Sequence, residues 1–117
     1  MQWSANTFCS PHDHAKAAGF VLFLEGEFIE RDYEFRQTLT LRGQRRVLSP
    51  SIFPFERNRI HDMACQQKGL SLHIYTPAIS GMKVYDPAER RTLEVSDSSG
   101  AWVPKDPKEI HRIEYWP

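Results

Sequence analysis

What this chain lacks narrows its class before any motif is considered. It has only two cysteines, Cys9 and Cys65. That is too few for a disulfide framework, so both thiols are read as free and a reducing cytoplasm as the compartment. It also lacks an excess of either charge: Lys plus Arg and Asp plus Glu number 15 each. This balance leaves no electrostatic footprint for nucleic acid or for an anionic membrane. No apolar run approaches the length of a membrane span. No basic segment followed by an apolar stretch opens the chain, so no signal peptide is expected. Alanines cluster only at Ala15, Ala17 and Ala18, and no segment keeps a long helical period, so little or no helix is expected. There are no internal repeats or low-complexity segments.

What is present reads as β-structure. Hydrophobic residues make up 40% of 117 residues, enough for a real core in one domain. Gly19 to Glu25 is an apolar strand, expected to be buried on both faces. Gly26 follows as a turn or bulge. Glu27 to Tyr33 and Phe35 to Leu41 continue as strands, with Arg42-Gly43-Gln44 as a turn. Val47 to Phe55 carries Pro50 and Pro54 and reads as a loop-rich approach to another strand. Arg59 to Met63 and Leu70 to Thr76 form two more strands around a polar turn. Met82 to Tyr85 and Thr92 to Ser96 form a last pair. About eight or nine short strands in one small domain point to an all-β fold, a closed small β-barrel or jelly roll. The expected organisation is a single domain over 1–117, with the barrel at about 8–103 and a tail at 104–117. The tail carries Pro104, Pro107 and Pro117 and is expected to pack over the barrel rather than to pair inside it.

The chemistry-bearing residues fall in three places. In Pro11-His12-Asp13-His14, an extended backbone would point His12 and His14 to one side and Asp13 to the other. Their Cα atoms would then lie about 7 Å apart, close enough for both imidazoles to reach one metal ion. In Ser71-Leu72-His73-Ile74-Tyr75, the serine, histidine and tyrosine share one face while Leu72 and Ile74 share the other. Between these stretches lies His61, after a turn in which Asn58 can take a left-handed backbone. We read a three-histidine metal site, His12, His14 and His61, facing a polar Ser71-His73-Tyr75 row. Three neutral nitrogens leave coordination positions open. Zinc and ferrous iron both suit such a site, and imidazole serves copper and nickel as well.

The residues also resemble a family. His12-x-His14 followed by Gly26 has the spacing of a first cupin motif, and Pro54 to His61 fits a second. With Leu24-Glu25-Gly26-Glu27, Ser71-Leu72-His73-Ile74-Tyr75-Thr76-Pro77 and Met82-Lys83-Val84-Tyr85-Asp86, the chain looks like the cysteine dioxygenase, or thiol dioxygenase, branch of the cupins. The resemblance runs from about Trp3 to about Asp86 and implies a cupin-type fold. It implies mononuclear non-haem Fe(II) on His12, His14 and His61, with Zn or Ni as other metals. It implies oxidation of a small thiol, cysteine-like or another thiol carboxylate, by O2 to a sulfinic acid. It places the Tyr75 hydroxyl over the metal, with His73 and Ser71 holding that hydroxyl. Gly19 stands where animal members carry a cysteine that cross-links to the tyrosine, and Cys65 where members carry asparagine.

The family's arginine for the substrate carboxylate belongs to a segment preceding the metal-binding histidines. Arg57 and Arg59 flank His61 and are the candidates to take its place, with Arg31 behind them. His111 is read as a tail histidine, Glu89-Arg90-Arg91 as a solvated turn, and Tyr115-Trp116 as a packing anchor or dimer contact. The expected partners are a small-molecule thiol and O2, with no nucleic acid and no membrane. A homodimer is expected to cover apolar surface left by the short N-terminal side. Two alternatives stand beside the thiol dioxygenase. One is a metal-dependent cupin isomerase or lyase acting on a small acid or sugar. The other is a non-catalytic metal-binding cupin.

Overall fold

A computed structural model describes residues 1–117. The eleven strands are β1 (Gln2–Trp3), β2 (Thr7–Phe8), β3 (Ala18–Glu25), β4 (Glu27–Arg36), β5 (Thr38–Leu48), β6 (Ser51–Phe55), β7 (Ile60–Cys65), β8 (Gly69–Thr76), β9 (Lys83–Asp86), β10 (Arg91–Val95) and β11 (Ile110–Tyr115). The only helical element is one 3-10 turn, Pro107–Glu109. The chain is therefore all-β, as its composition predicts. No helix is long and apolar enough to cross a membrane.

The strands form two four-stranded sheets, ordered β1-β8-β3-β6 and β2-β7-β4-β5, and a three-stranded sheet ordered β11-β10-β9. Every pairing is antiparallel. Inward side chains of the first two sheets meet in a core of Trp3, Cys9, Val21, Phe23, Phe28, Val47, Phe55, Met63 and Cys65. Each large side chain buried there contributes roughly 1.5–3 kcal/mol. A second, smaller cluster of Met82, Val84, Leu93 and Val95 seals the three-stranded sheet.

Two glycines explain local geometry. A Cβ on Gly19 would lie 1.8 Å from the Ile74 carbonyl oxygen, so the close approach of β3 to β8 excludes any side chain there. Gly26 makes the β3–β4 turn at φ +97°, a conformation that L side chains rarely adopt.

Four expectations need correction. β3 is not buried on both faces: Phe20 is 48% exposed, and with Leu24, Ile52, Leu72 and Ile74 it lines an uncovered outer face. The first sheet packs against the second on one side only, and an all-apolar strand cannot report which side that is. The chain does not turn at Arg42-Gly43-Gln44. It reverses at Gln37, whose φ is +66°, and Gly43 lies inside β5 opposite a register shift at Asp32/Tyr33. The tail does not merely pack over the barrel, since Ile110–Tyr115 pairs antiparallel with β10, with a register shift at Glu94/Val95. Finally, Pro11 to His14 is not a regular strand. His12 alone is bridged, to His61 on one side and Val84 on the other.

Candidate metal centre and its Ser-His-Tyr row

Backbone pairing brings His12 and His61 together. His12 N–H donates to the His61 carbonyl and His61 N–H to the His12 carbonyl, each at 3.0 Å. Residues that exchange both bonds in an antiparallel pair lie directly opposite, with side chains on the same side. On its other flank the segment is tied to β9: Tyr85 N–H donates to the Pro11 carbonyl at 2.8 Å and Asp13 N–H to the Lys83 carbonyl at 3.0 Å. Asp13 points away from the histidines. Its carboxylate accepts from the backbone N–H groups of Lys83 and Ala15, which folds the turn that returns His14 to the same side.

The three imidazoles converge. Ring centroids are 4.9 Å apart for His12–His14, 4.8 Å for His12–His61 and 4.9 Å for His14–His61. Their nitrogen ligand atoms lie within 4.8 Å of one another, and all three residues are buried. Burial, then the neighbouring histidines, hold His12 well below its usual pKa, and burial lowers His14 to about 3. Neutral imidazole is the form that binds a metal. His12 Nδ1 donates to the Ser10 carbonyl at 2.8 Å, and His61 Nδ1 is bonded to the Glu30 carboxylate at 2.9 Å. Both rings are thereby left with Nε2 unprotonated and free to bind. His14 Nδ1 is buried with no partner. A neutral nitrogen donor set in which His12 and His61 are held with Nε2 inward fits a divalent transition metal, and these three residues would hold it.

A neutral hydrogen-bond chain faces the histidines from β8. Trp3 Nε1–H donates to Ser71 Oγ at 2.8 Å, Ser71 Oγ is 2.8 Å from His73 Nε2, and Tyr75 Oη is 3.0 Å from His73 Nδ1. Indole N–H can only donate. Ser71 accepts from Trp3, and because His73 Nε2 is the one acceptor bonded to its hydroxyl, the Ser71 proton goes there. His73 then donates from Nδ1 to Tyr75, and the Tyr75 O–H is left to donate into the cavity. Burial keeps His73 neutral by lowering its pKa to about 4, and raises Tyr75 to about 12. The Tyr75 ring stacks beside His14 at 5.5 Å and packs on Phe55 at 5.0 Å.

The cavity measures about 430 Å³. Its wall includes His12, His14, His61, His73 and Tyr75, together with Trp3, Met63, Met82, Ile79 and Trp102. No arginine or lysine lines it. The expectation for Arg57 and Arg59 is thus corrected. Arg57 is exposed outside the cavity, and Arg59 points its guanidinium at Asp32 and Glu30. Arg31 forms a bidentate pair with Asp62, at 2.8 and 2.7 Å. His111 is exposed, and Trp116 packs on Phe35 and donates to Thr92. Cys65 is buried, its thiol donating to the Gln67 carbonyl at 2.6 Å.

Two site residues escaped the sequence reading, Trp3 and Glu30. Glu30 did carry a signal: an acid two residues after Phe28 on a strand is on the inward face and needs a partner there.

The outcome of comparison with known proteins agrees with this geometry. Among curated proteins no sequence matches the chain. Among solved structures it is similar to one described under the mechanism of oxalate oxidase. The TM-score is 0.57 at 16% identity, over 88% of this chain and 49% of that one. At that identity the likeness is one of fold, and the fold is that of the cupins. A weaker likeness, TM-score 0.48 at 13% identity over 81% of this chain and 52% of the other, is to Peruvianin-I, a cysteine peptidase from Thevetia peruviana latex, and carries no argument. The chain spans about half the length of both. The family model for cysteine dioxygenase type I matches residues 1–88, the region that carries every histidine and hydroxyl of the site, and the chain belongs to that family.

Proposed function

We propose that the protein is an oxidoreductase that uses Fe(II) and O2 to oxidise a small thiol, cysteine or a close relative, to its sulfinic acid. Both oxygen atoms enter the product, RSH + O2 → RSO2H, so no further reductant is required. The single observation that carries the reading is the pairing of a buried three-histidine group with a tyrosine hydroxyl aimed into the same cavity. Membership of the cysteine dioxygenase type I family supports the reaction class.

The metal would be held by His12, His14 and His61. When bound, it supplies a Lewis-acidic, redox-active centre at which a thiolate and O2 can meet. The rest follows from the chain's own groups. Met63, Met82, Ile79 and Trp102 give the cavity apolar walls for a small ligand body, and Ser96, Asp97 and Ser99 give it a polar edge for the ligand's polar groups. Tyr75 donates one hydrogen bond at the place where oxygen or substrate gains negative charge, the task of a preorganised donor. His73 and Ser71 keep that proton pointed inward. A cavity of about 430 Å³ admits a ligand of this size beside the histidines, which favours the dioxygenase over a non-catalytic relic. A homodimer through the uncovered outer face of β3, β6 and β8 belongs to the same proposal; a monomer in sedimentation velocity removes it.

The test is anaerobic loading with Fe(II), followed by O2 uptake across a thiol panel that includes cysteine, 3-mercaptopropionate and cysteamine. Stoichiometric uptake with sulfinate formation from at least one thiol is expected. Full iron occupancy with no uptake on any thiol overturns the proposal.

A further inference from the structure

We propose that Glu30 is a positioning residue of the metal centre, fixing His61 with Nε2 toward the ion and placing a permanent negative charge behind it. The inference rests on the metal-binding reading above. Three neutral imidazoles bring no charge to a divalent cation. Glu30 is the carboxylate that hydrogen-bonds one of them, and it is 3% exposed. Its two oxygens are divided. Oε2 accepts from His61 Nδ1 at 2.9 Å, while Oε1 accepts from Arg45 Nε at 2.8 Å and from Arg59 Nη2 at 2.8 Å.

Both arginines have a second contact. Arg59 Nε donates to Asp32 at 2.7 Å, and the Arg45 guanidinium lies 4.1 Å from the centroid of the Phe53 ring. The pairing of β4 with β7 sets this up. Asp32 stands opposite His61 and Glu30 opposite Met63, so Glu30, Asp32 and His61 share the inward face. A buried carboxylate held by part-exposed arginines is poor value as plain stabilisation, because an apolar replacement of similar volume is often as stable. Its cost is explained if the charge serves the ligand it touches. Such outer partners fix the tautomer of a metal-bound histidine and raise its basicity.

The test measures the apparent Kd for Co(II), by competition with a chromogenic chelator, on the full chain as wild type, Glu30→Gln and Arg45→Met, each alongside metal-free melting. Glu30→Gln keeps the shape and an acceptor for His61 but loses the charge, and leaves Arg45 without its acid partner while Arg59 keeps only Asp32. The expected result is a 10- to 100-fold weaker Kd, with a shifted visible absorption of bound Co(II). Arg45→Met removes a support from Glu30 but none of its charge. It should melt lower than wild type while binding Co(II) at least as tightly, an opposition of signs that a purely structural cluster would not give. A folded Glu30→Gln with wild-type Kd and spectrum overturns the inference. So does an Arg45→Met whose affinity falls in step with its stability, which decides the matter if Glu30→Gln does not fold. A wild type that binds no metal defeats the metal-centre reading itself, and this inference with it.

Discussion

The two walls of the cavity are held in different ways. The β7 wall, which carries His61, is braced by ions: Glu30, Arg45, Arg59 and Asp32 form one connected network. The β8 wall, which carries Tyr75, is braced by a neutral chain running from Trp3 through Ser71 and His73. The difference matches what each wall has to supply. A metal ligand needs a fixed lone pair and a compensating charge, which formal charges give best. A donor to a developing negative charge needs a proton pointed in one direction, which an ordered relay of neutral groups gives without placing a competing charge in the cavity.

The largest effects should come from the ligands. His61→Ala or His14→Ala should lose metal beyond the 10- to 100-fold of an outer partner, read as metal content after dialysis. His14 is the informative case, because its Nδ1 has no partner. An equal loss at both positions would show that bracing tunes the ligands and does not replace them. Retained stoichiometric metal in His14→Ala would break the comparison, since the site would then be a two-histidine one. Next comes Tyr75→Phe, which removes only the hydroxyl. Turnover should fall about 100-fold or more, the scale of a lost preorganised donor, with metal affinity within about twofold of wild type. A parallel fall in metal affinity would mean that the two walls are not separable.

How much of this was legible follows from how local each signal was. The period-two alternation of Ser71, His73 and Tyr75 against Leu72 and Ile74 was readable, because a strand's faces depend only on the strand. The structure buries Ser71 and leaves Ile74 50% exposed. The convergence of His12 with His61 was readable only as spacing, since the bridge between them joins residues far apart in sequence. Arg59 was misassigned for a related reason. Two residues before His61, it shares that residue's face, but whether it meets substrate or acid depends on which residues of β4 stand opposite. Trp3 was invisible as a site residue, because nothing near it in sequence shows that its indole meets Ser71, 68 positions away. The tail failed at the level of propensity. Three prolines argue against a strand in general, yet Ile110–Tyr115 contains none of them and is free to pair.

The walls should also separate by pH in the metal-free protein. Burial lowers His73 from its usual 6.5 to about 4. Between those values the unfolded chain binds the proton and the folded chain does not, so stability is full above about pH 6.5 and falls as pH drops toward 4. His12 and His14, also lowered, lose stability in the same direction, His14 down to about 3. For Glu30, burial acts upward, but the hydrogen bond from His61 and the guanidinium charges of Arg59 and Arg45 outweigh it and lower the group from its usual 4.5 to about 2. Its contribution is present above about pH 4.5 and is lost toward pH 2. Melting temperature against pH should therefore fall in two overlapping ranges, an upper one set by the imidazoles from about pH 6.5 and a lower one to which Glu30 adds from about pH 4.5. His73→Gln should shallow the upper one only, and Glu30→Gln the lower one only. A variant that flattens both would merge the walls into one electrostatic unit.

The smallest effect sharpens the comparison most. Trp3→Phe removes one donor, the group that gives the neutral relay its direction. The lost bond should cost about 1 kcal/mol of stability, and the ring's edge-on packing with Phe28 is largely kept. Without the indole N–H, nothing fixes the rotation of the Ser71 hydroxyl, and with its proton turned away from His73 the oxygen accepts from Nε2 instead. The imidazole can then switch tautomer, with Nδ1 accepting from Tyr75, and the phenol proton turns away from the cavity. Turnover should fall several-fold with metal affinity unchanged, read by O2 uptake and chelator competition on the same preparation. The ionic wall has no counterpart to this failure, because a carboxylate has no proton to point the wrong way. If Trp3→Phe leaves turnover untouched while Tyr75→Phe does not, the phenol holds its own direction, and the relay from Ser71 serves only to fill the wall.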